Sequence, residues 1–577
     1  MRNQDTSISV VICGEAGQGV QTIESLLTRI IKVNNFHVYA TKEYMSRIRG
    51  GSNSTQIRVD SGPVRAPVQR IDVAVLLDAG ALPHLRWRFS AHTVIIGERQ
   101  ALGTFSESII DVPFSTIAQE LGNPLYANSV AVGVLCGLLA IVEERAAREI
   151  EKFFTGKPAE VIVANQDALR RGYSCSADIR RRRGCFPWQI PQSDAKIAEE
   201  IVLNGAESVG MGALAGGCNF VSSYPMSPST GVLTFLATQA RRFNVIAEQA
   251  EDEISAINMA IGAWYAGARA LVTTSGGGFA LMEEGVSLAG MLESPLVIHL
   301  AQRPGPATGL PTRTEQGDLD LALYSGHGEF PRVIFAPGSV CEAFWCAQQA
   351  FAVADKYQIP VFILTDQYLM DSYYNHPVFD VSSLEVSPRS VATDKNYQRY
   401  RLTPDGISPR GIPGNGNGLV RVDSDEHDER AQITEDRLVR TQMVEKRLKK
   451  MTALQAEAVP PRVTGSTTYR IALVCWGSTR LIVEEACARL ERDDLAVLHF
   501  RQVYPLHADT AAYLRRAEQL IVIENNATGQ FARLLQMTTG VPVSEKILKY
   551  DGLPFFVDEL TERLRIVLTG GDHGDRE

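Results

Sequence analysis

The sequence predicts an α/β protein built of several domains, and three observations carry that prediction. Short β-branched runs at residues 7–13, 270–274 and 296–301 end in glycine or polar residues and lead into helix-patterned stretches, the alternation of parallel-sheet units. A length of 577 residues corresponds to about three to five domains of ordinary size. Hydrophobic content of 45% and charged content of 21% are those of a globular chain. The expected divisions are 1–190, 191–386, an irregular connector at 387–462, and 463–577.

The first domain opens with the strand at 7–13, the turn Gly14-Glu15-Ala16-Gly17-Gln18-Gly19 and a helix over 20–33. Strand, glycine turn and helix form a geometry in which backbone approaches a phosphate at a helix N-terminus. Gly17 and Gly19 are therefore candidate phosphate contacts. Tight packing is the plainer reading, because no ribose-binding acid follows at the usual place. Arg47 and Arg49, beside Gly50 and Gly51, could hold a phosphate or carboxylate or form a solvated turn. Strands at 55–59, 73–77 and 93–96 and a helix over 129–144 complete the α/β unit. Arg180 to Arg183, with Pro187 and Pro191 nearby, reads as a linker, and Cys175 and Cys185 beside it receive no role.

The second domain begins near Gln192. A small-residue helix at 211–217 precedes a strand at 219–222, which delivers the loop Tyr224-Pro225-Met226-Ser227-Pro228-Ser229-Thr230. Two prolines forbid a helix through that loop, and Ser229 or Thr230 can cap the helix that follows. Glu251-Asp252-Glu253 then lead into an apolar, small-residue run read as a buried helix. The simplest role for these acids is to complement the helix dipole. Strands at 270–274, 296–301 and 361–364 end in glycine or polar residues, which implies one shared crevice at their C-terminal ends. His299, inside an apolar strand, reads as a core histidine.

From 387 to 460 the periodicity fades. The acidic stretch 423–430 resembles a divalent-metal loop but lacks the glycine turn and terminal acid at fixed places, so it reads as a solvated connector. A charged helix over 435–454 is expected to clasp one domain. Strands at 469–476, 495–500 and 520–523, with the turn 524–530, build the last α/β domain.

Composition excludes some functions. A net charge of -9 argues against nucleic-acid or membrane-surface binding. No apolar run approaches the ~18 residues of a membrane span, and the N-terminus has no signal-peptide layout. Nine scattered cysteines without a C-x-x-C favour reduced, cytoplasmic thiols and argue against an iron–sulfur cluster held within this chain.

Four blocks then carry a resemblance: 224–230, 251–257, Thr273 to Met282 with its triple glycine, and Ala301 to Asp318. In this order they resemble the alpha subunit of 2-oxoacid:ferredoxin oxidoreductases. The first domain, with its glycine turn and the segments at 43–51 and 128–129, resembles the gamma subunit of the same enzymes. The last looks like the C-terminal domain of transketolase-like alpha subunits. The resemblance implies three α/β domains, the central one a pyrimidine-side thiamine diphosphate fold. The implied activity is oxidative decarboxylation of a 2-oxoacid (2-oxoglutarate or pyruvate-like) to an acyl-CoA, with electrons passing to ferredoxin.

Glu253 matches the family's glutamate that hydrogen-bonds the cofactor's aminopyrimidine; Glu251, two residues away, would face elsewhere on a helix. Tyr224 and Ser227 stand where the family contacts substrate, with serine at 227 replacing the usual threonine. Arg303 or Arg313 should hold the substrate carboxylate by a planar fork; Arg303, ending a strand, is preferred, and the choice stays open. Ser275, Gly276 and Gly277 are expected at the cofactor, and Gly17, Gly19, Arg47 and Arg49 are possible CoA contacts. No Gly-Asp-Gly with downstream asparagines is present. The diphosphate side, Mg2+ and a [4Fe-4S] cluster are therefore expected on a beta subunit, in a cytoplasmic heteromer that binds neither nucleic acid nor membrane. No metal ligand is assigned to this chain. Two other readings stand beside this one: a nicotinamide- or flavin-linked dehydrogenase using the 14–19 turn, and a non-catalytic assembly subunit.

Overall fold

The computed structural model describes residues 7–46, 51–103, 108–183, 195–386 and 388–570. Arg47, Arg49 and Cys185 lie outside the described residues. Contacts divide the chain into two units, Met1–Leu203 with Asp371–Phe379 and Phe556–Glu577, and Asn204–Met370 with Asp380–Phe555.

The first unit is built on one eight-stranded sheet. Its strands are β1 (Ile8–Glu15), β2 (His37–Glu43), β3 (Ser52–Asp60), β4 (Val73–Leu76), β5 (Val94–Gly97), β6 (Ile109–Asp111), β7 (Ile201–Leu203) and, from far along the chain, β14 (Tyr373–His376). They lie in the order β6-β5-β4-β1-β3-β2-β14-β7. β4 runs parallel to β1 and β3 antiparallel to it. The two-residue period of β1 serves two cores: Ile8, Val10 and Ile12 pack with the helix Val20–Val33, while Val11 and Cys13 pack with Ala74 and Leu76 on the other face.

The helix expected over 129–144 is instead Ala127–Leu138, and Glu143–Phe153 is a separate helix. Between them Ala140 takes a left-handed φ of 55°, which ends the first helix. Ala127–Leu138 packs against Ala159–Arg183 at reciprocal glycines. A Cβ on Gly133 would collide with the Leu169 carbonyl, and one on Gly172 with the Val130 carbonyl. The linker expected at Arg180–Arg183 is a correction: these arginines are the last turn of that 25-residue helix. Cationic side chains are favourable at a helix C-terminus, and Arg181 pairs with Asp178.

The second unit holds a seven-stranded sheet of β8 (Phe220–Ser223), β9 (Ile246–Gln249), β10 (Ala270–Thr274), β11 (Leu296–Gln302), β12 (Val333–Phe335), β13 (Pro360–Asp366) and β20 (Gln502–Tyr504). The order is β20-β12-β13-β11-β10-β8-β9, with every pairing parallel except β12 with β20. β11 and β13 are buried along their whole length, and each buried aliphatic side chain contributes roughly 1.5–3 kcal/mol. His299 is a core histidine, as expected. Its Nδ1 and Nε2 meet the Thr273 and Thr365 hydroxyls at 2.7 and 2.9 Å, bridging three adjacent strands, and burial lowers it to about 3.

The connector contributes a small parallel pair, β15 (Ser390–Thr393) and β16 (Arg410–Gly416), and the helix Arg437–Ala456. Lys446 and Lys450 of that helix reach the buried Glu293 carboxylate at 2.5 and 2.7 Å. The acidic stretch is tied down by its own backbone and by the neighbouring helix. Asp428 Oδ1 accepts the Arg430 and Gln432 amides, and Glu426 pairs with Arg440 and Arg447. The last sheet joins β17 (Arg462–Gly465), β18 (Ile471–Trp476), β19 (Leu495–Phe500), β21 (Gln519–Glu524) and β22 (Glu545–Leu548) in the order β17-β19-β18-β21-β22. Among the described residues no helix is long and apolar enough to cross a membrane.

Candidate active site

From β8 the chain moves outward to β9, then returns to β10 on the opposite side of β8. This makes β8/β10 a topological switch point, where α/β sheets bind ligands beyond the strands' C-terminal ends. The loop at 224–229 leaves β8 there, Glu251–Glu253 leave β9, Ser275 leaves β10 and Arg303 leaves β11. Four of the segments singled out in the sequence thus share one sheet edge.

Glu253 is the first residue of the helix Glu253–Tyr265, and it is not the cap. Asp252 caps, its Oδ1 accepting the Ser255 amide and hydroxyl at 2.7 Å. Glu253 is only 4% exposed, and its Oε1 has no protein hydrogen-bond partner. A Cβ on Gly278 would lie 2.5 Å from that oxygen and collide with Thr274 Oγ1. Ser275 Oγ and Asp318 Oδ2 are buried and unpartnered in the same way, and a Cβ on Gly276 would collide with the Asp318 carboxyl. Three unpaired oxygens therefore gather around Gly276–Gly278. Native proteins leave few such groups, each costing about 1–3 kcal/mol, so a polar ligand is the fitting counterpart. Gly277 faces open space apart from Ala307 O at 3.5 Å.

The helix expected to be buried on almost every face has one apolar face exposed, carrying Ile254, Met259 and Tyr265. Ser229 sits at the N-cap of Thr230–Phe243 without capping it. Its hydroxyl turns back to the Met226 carbonyl at 2.7 Å and secures the loop. Tyr224 is exposed. Arg303 Nη1 donates to the Ser227 carbonyl at 2.8 Å, so these two expected substrate contacts lie together. Arg313 has its stem against Gly552 and its amide donating to the Leu310 carbonyl at 3.1 Å.

Asp318 was not singled out in the sequence as a site residue. Burial and the nearby Glu315 push its carboxyl up to about 7 against the pull of Arg303, so it is substantially protonated near neutral pH. Its amide donates to Gln302 Oε1 at 2.9 Å. Gln316 was also missed. Its Nε2 donates to the Trp476 carbonyl, and its Oε1 accepts the Asn525 amide at 2.9 Å, which ties the 303–318 loop to the strand ends of the last sheet. No pattern in the sequence announces either contact, because both are made across long stretches of chain.

In the first unit Gly17 and Gly19 border a pocket of about 250 Å³ with Glu15, Glu24, Lys42 and Tyr44. Gly19 has φ 84°, and a Cβ there would collide with Asn128, so packing alone requires this glycine. Lys42 pairs with Asp371 at 3.3 Å, and the Tyr44 hydroxyl donates to the same carboxylate at 3.2 Å.

Comparison with known proteins gives a consistent result. Residues 9–175 match the family model described as pyruvate ferredoxin/flavodoxin oxidoreductase. Residues 211–446 match its thiamine diphosphate-binding model. The 2-oxoacid:ferredoxin oxidoreductase subunit alpha of Sulfolobus sp is 30% identical, over 99% of this chain and 100% of that protein. The 2-oxoglutarate oxidoreductase subunit KorA of Mycobacterium tuberculosis is 31% identical, over 77% of this chain and 68% of that protein. The solved 2-oxoglutarate:ferredoxin oxidoreductase of Magnetococcus marinus, with 2-oxoglutarate, coenzyme A and succinyl-CoA bound, superposes with a TM-score of 0.91 at 28% identity, covering 97% of this chain and 99% of that one.

Proposed function

Since the chain belongs to the 2-oxoacid:ferredoxin oxidoreductase alpha-subunit family, we propose that it supplies the pyrimidine-side half of a thiamine diphosphate site that decarboxylates 2-oxoglutarate. The balanced reaction takes 2-oxoglutarate, CoA and two oxidised ferredoxins to succinyl-CoA, carbon dioxide, a proton and two reduced ferredoxins. The observation that carries the reading is the Glu253 carboxyl, buried with Oε1 unpaired over Gly278 at the switch point. Family membership selects this activity over a nicotinamide- or flavin-linked dehydrogenase.

Thiamine diphosphate, when bound, would supply the nucleophilic carbon that chemistry at a 2-oxo group needs. The chain's own part is to bind and orient. Glu253 would meet the pyrimidine ring through its buried Oε1, which no protein group satisfies. Ser275, Gly276 and Gly277 let the backbone approach that ring. Arg303, steadied by the Ser227 carbonyl, is the preferred carboxylate clamp, with Arg313 the alternative and Tyr224 and Ser227 the further substrate contacts. Gly17 and Gly19 remain candidates for contacting CoA. The three acids around that pocket and its paired lysine suit the neutral arm of CoA better than its phosphates, so Arg47 and Arg49 would have to meet the phosphates.

On this reading residues 1–190 are a gamma-type module, 191–386 the pyrimidine-side domain and 463–577 the docking domain. The metal-bound diphosphate, the iron–sulfur relay and the ferredoxin contact belong to a beta subunit. The test is to purify the chain alone and with its partner, and to measure 2-oxoacid- and CoA-dependent reduction of a viologen dye. Activity is expected only with the partner, and with 2-oxoglutarate ahead of pyruvate. Substantial turnover by the chain alone, or a preference for pyruvate, would overturn the corresponding part.

A further inference from the structure

We propose that a recess at the far end of the Glu253–Tyr265 helix binds a small organic carboxylate with an apolar body, at a site separate from the decarboxylation centre. The recess has a volume of about 260 Å³, with walls that include Ile261, Trp264, Leu292, Pro295 and Val420. Arg399 and Arg410 also line it.

Three features point to an anion. Arg399 and Arg410 are 5% and 6% exposed, yet Arg399 Nη1 and Arg410 Nε have no protein hydrogen-bond partner. Buried guanidinium donors are normally matched. Charge around the recess is also unbalanced. Asp355 pairs with Arg269 and Arg410, and Glu293 pairs with Lys446 and Lys450 within reach of Arg399. Each of these carboxylates is thus shared by two cations, and burial, with the neighbouring Lys450, lowers Lys446 to about 8. A surplus of buried positive charge is costly unless an anion answers it.

The third feature is Gly262. It lies within the helix Glu253–Tyr265 and lines the recess, and a Cβ built on it meets nothing within 4 Å. Glycine inside a helix costs roughly 1 kcal/mol relative to alanine, and here no neighbour requires it. What the glycine does is keep the recess open. The aromatic and aliphatic walls select against inorganic phosphate and for a carboxylate attached to a flat or branched apolar group. The inference does not depend on which 2-oxoacid the enzyme consumes.

The test uses benzoate as probe and benzyl alcohol as its uncharged control, titrated calorimetrically into the assembled alpha–beta complex. Benzoate should bind in the micromolar to low-millimolar range and benzyl alcohol should not. Gly262→Leu puts a bulky side chain into the recess and leaves both arginines in the sequence, and should weaken benzoate about ten-fold or more. Arg399→Lys keeps the charge but loses the planar fork, and should weaken it too. Assembly is followed by size exclusion for each variant. Absence of benzoate binding to the wild-type complex, or unchanged binding in Gly262→Leu, overturns the proposal. So does binding seen only in the isolated chain, which would mean that the partner covers this face.

Discussion

Glu253 and Asp318 are two carboxyls on either side of one glycine turn. Glu253→Gln keeps the shape of the side chain and removes the acid, so folding and assembly should persist. In the assembled enzyme the same change should slow exchange of the cofactor's C2 proton by about 100-fold or more, the scale of a lost general acid–base group; proton NMR of the exchange decides it, and an unchanged rate would remove Glu253 from the chemistry. Asp318 gives a pH signature. Its carboxyl sits at about 7 in the folded chain, above the ~3.9 of an unfolded aspartate. Between these values the folded state binds more protons, so the stability Asp318 contributes is complete below about pH 4 and is lost as pH rises through about 7. Denaturant midpoints at pH 5 and pH 8 should differ less in Asp318→Asn than in the wild type; equal differences would show that Asp318 does not titrate this way. Glu253 was legible because a motif surrounds it. Asp318 closes one of the quoted blocks, yet its environment comes from Gly276 and Glu315, and packing of that kind leaves no trace in local pattern.

At the scale of elements, the charged helix Arg437–Ala456 shows what pattern can and cannot reveal. The charges were plain and the helix was expected within two residues of its observed limits. That Lys446 and Lys450 turn inward to Glu293 was not, since lysines usually point to water. Removing the carboxylate strands two ammonium groups, so Glu293→Gln should destabilise the second unit by about 3–5 kcal/mol, read as a lower urea midpoint. A midpoint within experimental error of the wild type would mean that water reaches these lysines. Several strands, such as β1, β10, β11 and β13, were legible from β-branched runs, whereas β2 and β16, seven residues each, were not expected. β7, β12 and β20 have only three residues each, too few for a two-residue period to declare itself. The break between the two helices after Leu138 was also hidden, because Ala140 adopts a left-handed φ that its residue type does not advertise.

At the scale of the whole molecule, the α/β class, the sheet edge that gathers the site and the family were all legible, because repeated strand–turn–helix units and ordered motifs survive in sequence. The composition of the first unit was not. Its sheet takes β14 between β2 and β7, and its helix Val557–Leu568 anchors through Asp558, which accepts the Gln69 and Arg70 amides. A fragment ending at residue 203 would expose the edge of β2 and an unpaired β7, so it should aggregate or lose cooperative unfolding, whereas adding residues 371–379 and 556–570 in trans or by fusion should restore a sharp thermal transition; a well-folded 1–203 fragment would contradict this. Discontinuity has a temporal side as well. A ribosome working at about 5–20 residues per second releases β7 and then needs roughly ten seconds or more before β14 exists, and longer still before the closing helix does. During that interval the nascent chain carries an open β edge, a template for pairing with neighbouring nascent chains. Completion of the N-terminal sheet therefore waits on the synthesis of β14, so its exposure lasts as long as the intervening chain takes to emerge.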